Sequence, residues 1–423
     1  MTVPLTAGPR DGVADTSRPE RRRLRTQRPF VAILTGQTLS QFGDYAFRIA
    51  LPIEALRLTG SGRLLSAVLV AQSISLVLAA LAGGVLADRA GSRRVMFLTD
   101  AGRGVVVCAA TVAIATGRIT PWALVVVALM LGVGQGLFQP AYQAAVPELV
   151  PAGQLTDAAR AGALWRRLAS LGGVPAGGAL VAAFGTSWGF ALNGATFVVA
   201  AACVGLSGRW PGQLVADRSA RRGPLADFVA GLRYVGSRRD LEWPIAAFGV
   251  AVLTTFSPLF LALPLLLAPD GRAGTLQFSL VLTVAAVGGV SGSGAYRHVA
   301  RSHPRGRVAM TALAVVGLSY AALAVAHPDV VWMTAAAFVA GAATTVGDVA
   351  WSSALQAHVP REVLGRVSSV DWVASFGLAP VGYALLPLAL LYGSPRAVIL
   401  CGGLVTAAFA LAVGALRAVR SLT

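Results

Sequence analysis

The chain has 423 residues, 56% hydrophobic and only 13% charged, with a mean hydropathy of +0.69 and a formal net charge of +17. A soluble globular domain carries about 25% charged residues, so this composition excludes an ordinary soluble fold and points to lipid as the solvent. The positive charge does not imply nucleic acid. All 35 basic residues are arginine, and they gather in loops on one side of a membrane layout, as cytoplasmic loops do.

Residues 1–29 are polar and basic, with RRRLRTQR at Arg21 to Arg28. They lack the short apolar core and small-residue cleavage site of a signal peptide and read as a disordered cytoplasmic tail. Apolar runs follow at 31–58, 63–87, 95–117, 121–146, 160–184, 187–207, 244–268, 275–298, 308–326, 330–357, 368–392 and 395–416. Each is close to the ~20 residues that cross a bilayer as a helix. The expected fold is an all-α membrane protein of 12 transmembrane helices in two six-helix halves, 30–207 and 244–417. A basic cytoplasmic linker at 208–243 joins them, and 418–423 form a second tail. Within the linker, Pro224 to Leu241 has amphipathic spacing and is expected to link and anchor. With the first residue inside, 28 arginines lie on the inner side. Only Arg57, Arg63, Arg118, Arg272 and Arg396 lie outside, with Arg48 and Arg103 nearer membrane depth. This places both termini in the cytoplasm of a bacterial inner membrane.

The halves repeat. LASLGGVPAGGALV at Leu168 to Val181 aligns with VASFGLAPVGYALL at Val373 to Leu386, sharing Ala169/Ala374, Pro175/Pro380 and Gly177/Gly382 among other positions. Upstream, AYQAAVPELVP at Ala141 to Pro151 echoes AWSSALQAHVP at Ala350 to Pro360. Two neighbouring matches in the same order indicate two parallel halves, which put a substrate site at their interface near the bilayer midplane.

Charges at membrane depth mark that site, because each costs roughly 2.5–3.5 kcal/mol to insert unless it has a partner or a cavity. The first span carries Gln37, Gln41, Asp44 and Arg48 on one helical face. Asp44 and Arg48 are one turn apart and able to pair. A proton-coupling role for them stands against a structural ion pair that fixes packing. Glu54, off the stripe, reads as a boundary residue. The fourth span presents Gln135, Gln139 and Tyr142. The tenth presents Thr344, Thr345, Asp348, Trp351 and Ser352, and the eleventh begins near Asp371 and Trp372. Asp348 is a second candidate for a proton or a substrate cation, and Asp371 reads as interfacial. Aromatic residues beside acids suit amphipathic or cationic ligands, although plain packing also explains them. Cys108, Cys203 and Cys401 lie in apolar runs without metal spacing, and His298, His303, His327 and His358 sit at loops or span ends. No nucleotide loop, metal cluster or catalytic triad is legible, so no enzyme activity, cofactor or metal is expected.

Between spans two and three stands GGVLADRAGSRR, Gly83 to Arg94. Its glycines let helices approach closely. Its Asp and Arg cluster can make charged hydrogen bonds to a neighbouring helix end, and bonds made in only one conformation bias alternating access. This segment resembles the major facilitator superfamily, whose signature loop reads G-x-L-A-D-R-x-G-R-R. Gly84, Leu86, Ala87, Asp88, Arg89, Gly91 and Arg93 match it, Arg94 follows, and Ser92 replaces a usually basic residue. GQTLSQFGDYAFRIALPIEALRLTGS in span one and LQAHVPREVLGRVSSV at Leu355 to Val370 look like the branch that holds enterobactin exporters and macrolide efflux proteins. The drug-antiporter arginine of span four is absent from MLGVGQGLFQPA. In span five Val174 precedes Pro175, and Gly177 and Gly178 come one residue early. The resemblance implies a secondary active transporter working by alternating access, with proton-coupled efflux of a small amphipathic compound such as a drug, siderophore or secondary metabolite. Uptake by a symporter of the same fold and a non-transporting membrane sensor are the alternatives. The partners it implies are a small-molecule substrate, protons and the lipid bilayer, for a protein working as a monomer.

Overall fold

The computed structural model describes residues 28–208, 210, 224–267, 271–299, 303–420 and 422; the first tail up to residue 27 and much of the linker lie outside them. Every described element is helical. The first bundle comprises α1 (Arg28–Thr59), α2 (Gly62–Ala90), α3 (Ser92–Ala115), α4 (Pro121–Leu149), α5 (Leu155–Phe184) and α6 (Thr186–Leu206). After α7 (Pro224–Gly236), α8 (Arg239–Ala251) runs through a π-helical turn at Val252–Phe256 into α9 (Ser257–Leu267). Then come α10 (Gly271–Val299), α11 (Arg305–Ala326) and α12 (Val330–His358). A second π-helical turn at Val373–Gly377 joins α13 (Arg361–Trp372) to α14 (Ala379–Tyr392), and α15 (Pro395–Ala415) and α16 (Arg417–Arg420) end the chain. Eleven of these segments are long and apolar enough to cross a bilayer. The twelfth is α1, whose 32 residues suffice in length and whose polar stripe lowers its hydropathy.

Local signals set the helix ends. Thr120, Asp329 and Ser394 cap α4, α12 and α15 by accepting from backbone N–H groups of the first turn. Gly91 (φ 85°) turns the chain between α2 and α3 in the left-handed region, where a Cβ is disfavoured. In the first π-helical turn Pro258 has no N–H to offer the carbonyl of Thr254. The hydroxyls of Thr254 and Thr255 both bond the Thr406 hydroxyl of α15, each at 2.8 Å.

Close helix approach holds each bundle together. A Cβ on Gly136 of α4 would stand 2.4 Å from the Leu76 carbonyl oxygen of α2. One on Gly132 would stand 2.2 Å from that of Gln72. Small residues four apart let two backbones meet this way inside a membrane. The repeat found in the sequence does one packing job twice. Gly177 of α5 lies against Ala46 of α1, and its counterpart Gly382 of α14 lies against Ser257 of α9. Gly136→Leu is expected to destabilise the protein by about 1–3 kcal/mol or more, because overpacking at a backbone contact cannot relax by a rotamer change. Thermal unfolding in detergent would register it as a lowered midpoint, and an unchanged midpoint would rule the contact out as a stability element.

The linker helix α7 docks rather than merely anchoring. A Cβ on Gly231 would stand 2.5 Å from the Arg366 carbonyl oxygen of α13. Val235 is buried with Leu241, Leu355 and Val359.

The halves meet on the face opposite the chain ends. Near that face, Ser66 of α2 donates to the Tyr383 carbonyl at 2.6 Å, and Ser279 of α10 donates to the Val174 carbonyl of α5 at 3.1 Å. Leu65 and Val68 share one buried cluster with Leu261 and Leu386, and Ile49 and Val174 share another with Leu263 and Phe278. Nearer the terminal face, the exposed Arg167 donates to the half-buried Ser293 at 3.0 Å. Apolar packing thus joins the halves toward the opposite end, where Leu56, Arg57, Val181, Leu265 and Arg272 line an outer pocket; on the side of the chain ends, the exposed Arg48, Arg167 and Asp348 mark a cleft between the halves.

Candidate transport site

Two clusters of polar groups stand out, one at the loop between α2 and α3 and one at mid-depth. At the loop, Arg93 reaches the C-terminus of α6, donating from Nε to the Val204 carbonyl at 3.3 Å and from a terminal nitrogen to the Gly205 carbonyl at 2.7 Å. A cation is favoured there by the helix dipole and by the orphan carbonyls of the last turn. Ser92 donates to Glu148 Oε1 of α4 at 3.2 Å. The loop thus ties α2 and α3 to the ends of α4 and α6 within one bundle. Asp88, Arg89 and Arg94 lie exposed on the terminal face, and a Cβ on Gly84 would meet nothing within 4 Å.

At mid-depth, the α1 stripe borders the cleft. Gln37, Gln41 and Asp44 are partly buried and Arg48 is exposed. Asp44 and Arg48 do not form a closed ion pair in this structure. The Arg48 guanidinium instead lies over the Tyr45 ring, 4.9 Å from its centroid, and 6.0 Å from that of Phe260 on α9. Asp44 lies within electrostatic reach of Arg48 and also of Arg103 on α3. Arg103 is buried and bonded to Asp100 one turn earlier. Its guanidinium sits between the rings of Phe138 on α4 and Phe197 on α6, 5.0 and 4.3 Å from their centroids. Gln135 and Gln139 of α4 are exposed, and Tyr142 is partly buried with its ring stacked on Phe138 at 6.0 Å.

The second bundle is built differently. Asp348 is exposed and within electrostatic reach of Asp371, and Thr345 is partly buried. The Asp371 Oδ1 accepts from the Trp351 indole at 2.8 Å. Trp351 is itself buried, 5.8 Å from the Phe248 ring of α8, so it braces Asp371 from within the core. Glu54, read from sequence as a boundary residue, is fully buried. It accepts from Arg57 at 2.6 and 2.8 Å and from Thr186 at 2.5 Å.

Asp100 is the group that sequence reasoning missed. It stands eight residues into α3, close behind Arg93 and Arg94, and so blends with the basic loop. The available signal was its spacing from Arg103, three residues on in an otherwise apolar helix, which is that of an intrahelical pair.

A family model described as transmembrane secretion effector matches residues 24–421. The multidrug efflux pump Tap of Mycolicibacterium fortuitum is 25% identical over 379 residues, covering 85% of this chain and 89% of the relative. The enterobactin exporter EntS of Citrobacter koseri is 24% identical over 370 residues, covering 86% and 85%. The uncharacterized MFS-type transporter YfiS of Bacillus subtilis is 26% identical over 183 residues, 43% of either chain. The solved nucleoside transporter NupG superposes with a TM-score of 0.72 at 14% identity, over 91% of this chain and 98% of that one, which is a likeness of fold. With the signature loop, the helical architecture and a family match over nearly the whole chain, this protein belongs to the transmembrane secretion effector family and is a membrane transporter of the major facilitator type.

Proposed function

We propose that the protein exports a small amphipathic compound from the bacterial cytoplasm, driven by protons and working as a monomer by alternating access. The observation that carries this reading is the polar face of α1, with Asp44 and Arg48 at mid-depth beside the cleft. An acid there can be reached by water from one side at a time, and the aromatic faces of Tyr45 and Phe260 border the same space. Relatives named as a multidrug efflux pump and an enterobactin exporter support the outward direction. Gln37, Gln41, Gln135, Gln139, Tyr142, Thr345 and Asp371 are the proposed cavity residues, with Trp351 behind them. Asp348 is the reserve proton site.

The test uses inside-out vesicles of the reconstituted full chain, with ethidium as an amphipathic cationic probe. Accumulation is expected when the lumen is acid, with loss on adding a protonophore. Accumulation indifferent to the protonophore would remove the proton from the mechanism.

The same reading puts the terminal face in the cytoplasm. Single cysteines at Asp15, Ser219 and Thr423, in a background without Cys108, Cys203 and Cys401, are expected to resist an impermeant thiol reagent on intact cells. One at Thr116 on the opposite face is expected to label. Labelling at any of the first three would overturn the orientation.

A further inference from the structure

The first bundle holds an occluded charged cluster that the α1 stripe alone does not account for. Asp100 and Arg103 form a closed pair with side chains only 2% and 6% exposed. The arginine side chain has space because Gly134 lacks a Cβ, which would otherwise stand 2.6 Å from Arg103 Cγ. Beside it, Asn193 of α6 is fully buried and borders Asp44. Arg103 Nε and both amide atoms of Asn193 are buried without a hydrogen-bond partner. Unpaired polar atoms of this kind are costly and need an explanation. The charged groups facing the two carboxylates are Arg103 and Arg48. The other nearby groups, Asn193 and Thr196 of α6 and Phe138 of α4, do not titrate.

Resting on the proton-driven reading, we infer that Arg103 is the shared counter-ion of Asp44 and Asp100, and that this cluster carries the one exchangeable proton of the cycle, on Asp44, with Asp100 as a positioning residue. Charge balance drives the argument. Two carboxylates face one buried guanidinium, and an uncompensated charge at membrane depth is expensive. Two things can cancel the surplus: a proton on Asp44, or Arg48 turned one helical turn back toward it. In this structure Arg48 lies over Tyr45 of its own helix and, at 6.0 Å, beside Phe260 of the other half. The second of these contacts exists only while the halves keep this arrangement. When they rock, Arg48 loses Phe260 and can turn to replace the proton. The step is a single transfer between the Asp44 carboxyl and water in the cleft; only an O–H bond breaks and re-forms.

The experiment counts the proton on the purified full chain by infrared pH-difference spectroscopy, without substrate or gradient. The native protein is expected to show a protonated-carboxyl band that is lost in Asp44→Asn. Asp100→Asn is expected to lose it too, because Arg103 then neutralises Asp44 alone. Adding Arg103→Gln to Asp100→Asn is expected to restore it, since Asp44 again lacks a buried cation. A merely structural pair predicts no such rescue. Persistence of the Asp44 band in Asp100→Asn overturns the inference, as does its absence from the folded double variant. The double variant removes both partners together and strands no buried charge. Should Asp100→Asn fail to fold, the double is read alone: a band lost on adding Asp44→Asn supports the cluster, and no such band overturns it. Vesicles that ignore the gradient while this band pattern holds count against proton-driven export alone. An unaltered band in Asp100→Asn with gradient-driven export intact counts against the cluster alone.

Discussion

Asp44→Asn is expected to abolish proton-driven export while leaving binding of the probe measurable. Protons can drive export only if some acid takes one up in one access state and releases it in the other. Asp44 stands near the middle of α1, at the border between the cleft and the buried Arg103. Asparagine has nearly the same shape and can donate and accept hydrogen bonds, but it carries no dissociable proton. The substitution therefore changes coupling and little of the packing. In vesicles, accumulation of ethidium against its gradient should fall to the level of protein-free controls, while exchange of the probe at equal concentrations continues. Arg48→Gln should have a milder effect, since the acid remains and only the competing cation is removed. If Asp44→Asn still accumulates the probe in response to an acid lumen, Asp44 is structural and the coupling role passes to Asp348, which lies within reach of Asp371 in the second bundle.

The parts of this site differ in how plainly the sequence shows them. The spans are legible because lipid forces each of them into an apolar run of fixed minimum length. The α1 stripe is legible because Gln37, Gln41, Asp44 and Arg48 fall on one face of a regular helix. The cation near Asp44 is not legible. Arg103 comes within electrostatic reach of it by passing Gly134 of α4 and wedging between Phe138 and Phe197 on two further helices. That geometry depends on how four helices pack, and no periodicity within one helix encodes it. Spacing makes Asp44 and Arg48 look like a pair, yet the Arg48 guanidinium lies over the Tyr45 ring of the same helix, with Phe260 of the other half beyond it. Glu54 misleads in the opposite sense: it sits near a span end, and only the fold shows that Thr186 and Arg57 enclose it. The π-helical turns at Val252–Phe256 and Val373–Gly377 also escape a reading that assumes uniform helical period. Such turns often mark functional positions, and these two stand at corresponding places in the paired spans of the second bundle.

Asp88→Ala and Gly84→Leu are expected to slow transport several-fold at unchanged expression and thermal stability, by acting on the state that this structure does not occupy. Within the first bundle Arg93 caps α6 and Ser92 holds Glu148. Removing those would loosen the first bundle itself. Gly84 and Asp88 are one turn apart at the terminal end of α2, so they share a face. Gly84 has open space where its side chain would be, in contrast to Gly136, whose side chain would strike the α2 backbone. A leucine at 84 therefore fits the present arrangement without strain. When the halves close over the terminal face, that face of α2 must approach the second bundle, and a leucine there would hold the backbones apart. Asp88, charged and exposed beside it, would lose the chance of a charge-assisted bond across the same seam. Both changes bias the equilibrium toward the state open to the chain ends, and a bias of about 1.4 kcal/mol shifts the populations tenfold. Distances between spin labels at Arg94 and Arg366 report the bias directly: they should stay long in both variants under conditions that shorten them in the native protein. Native transport rates at equal protein levels, with native label distances, would remove Gly84 and Asp88 from the gate.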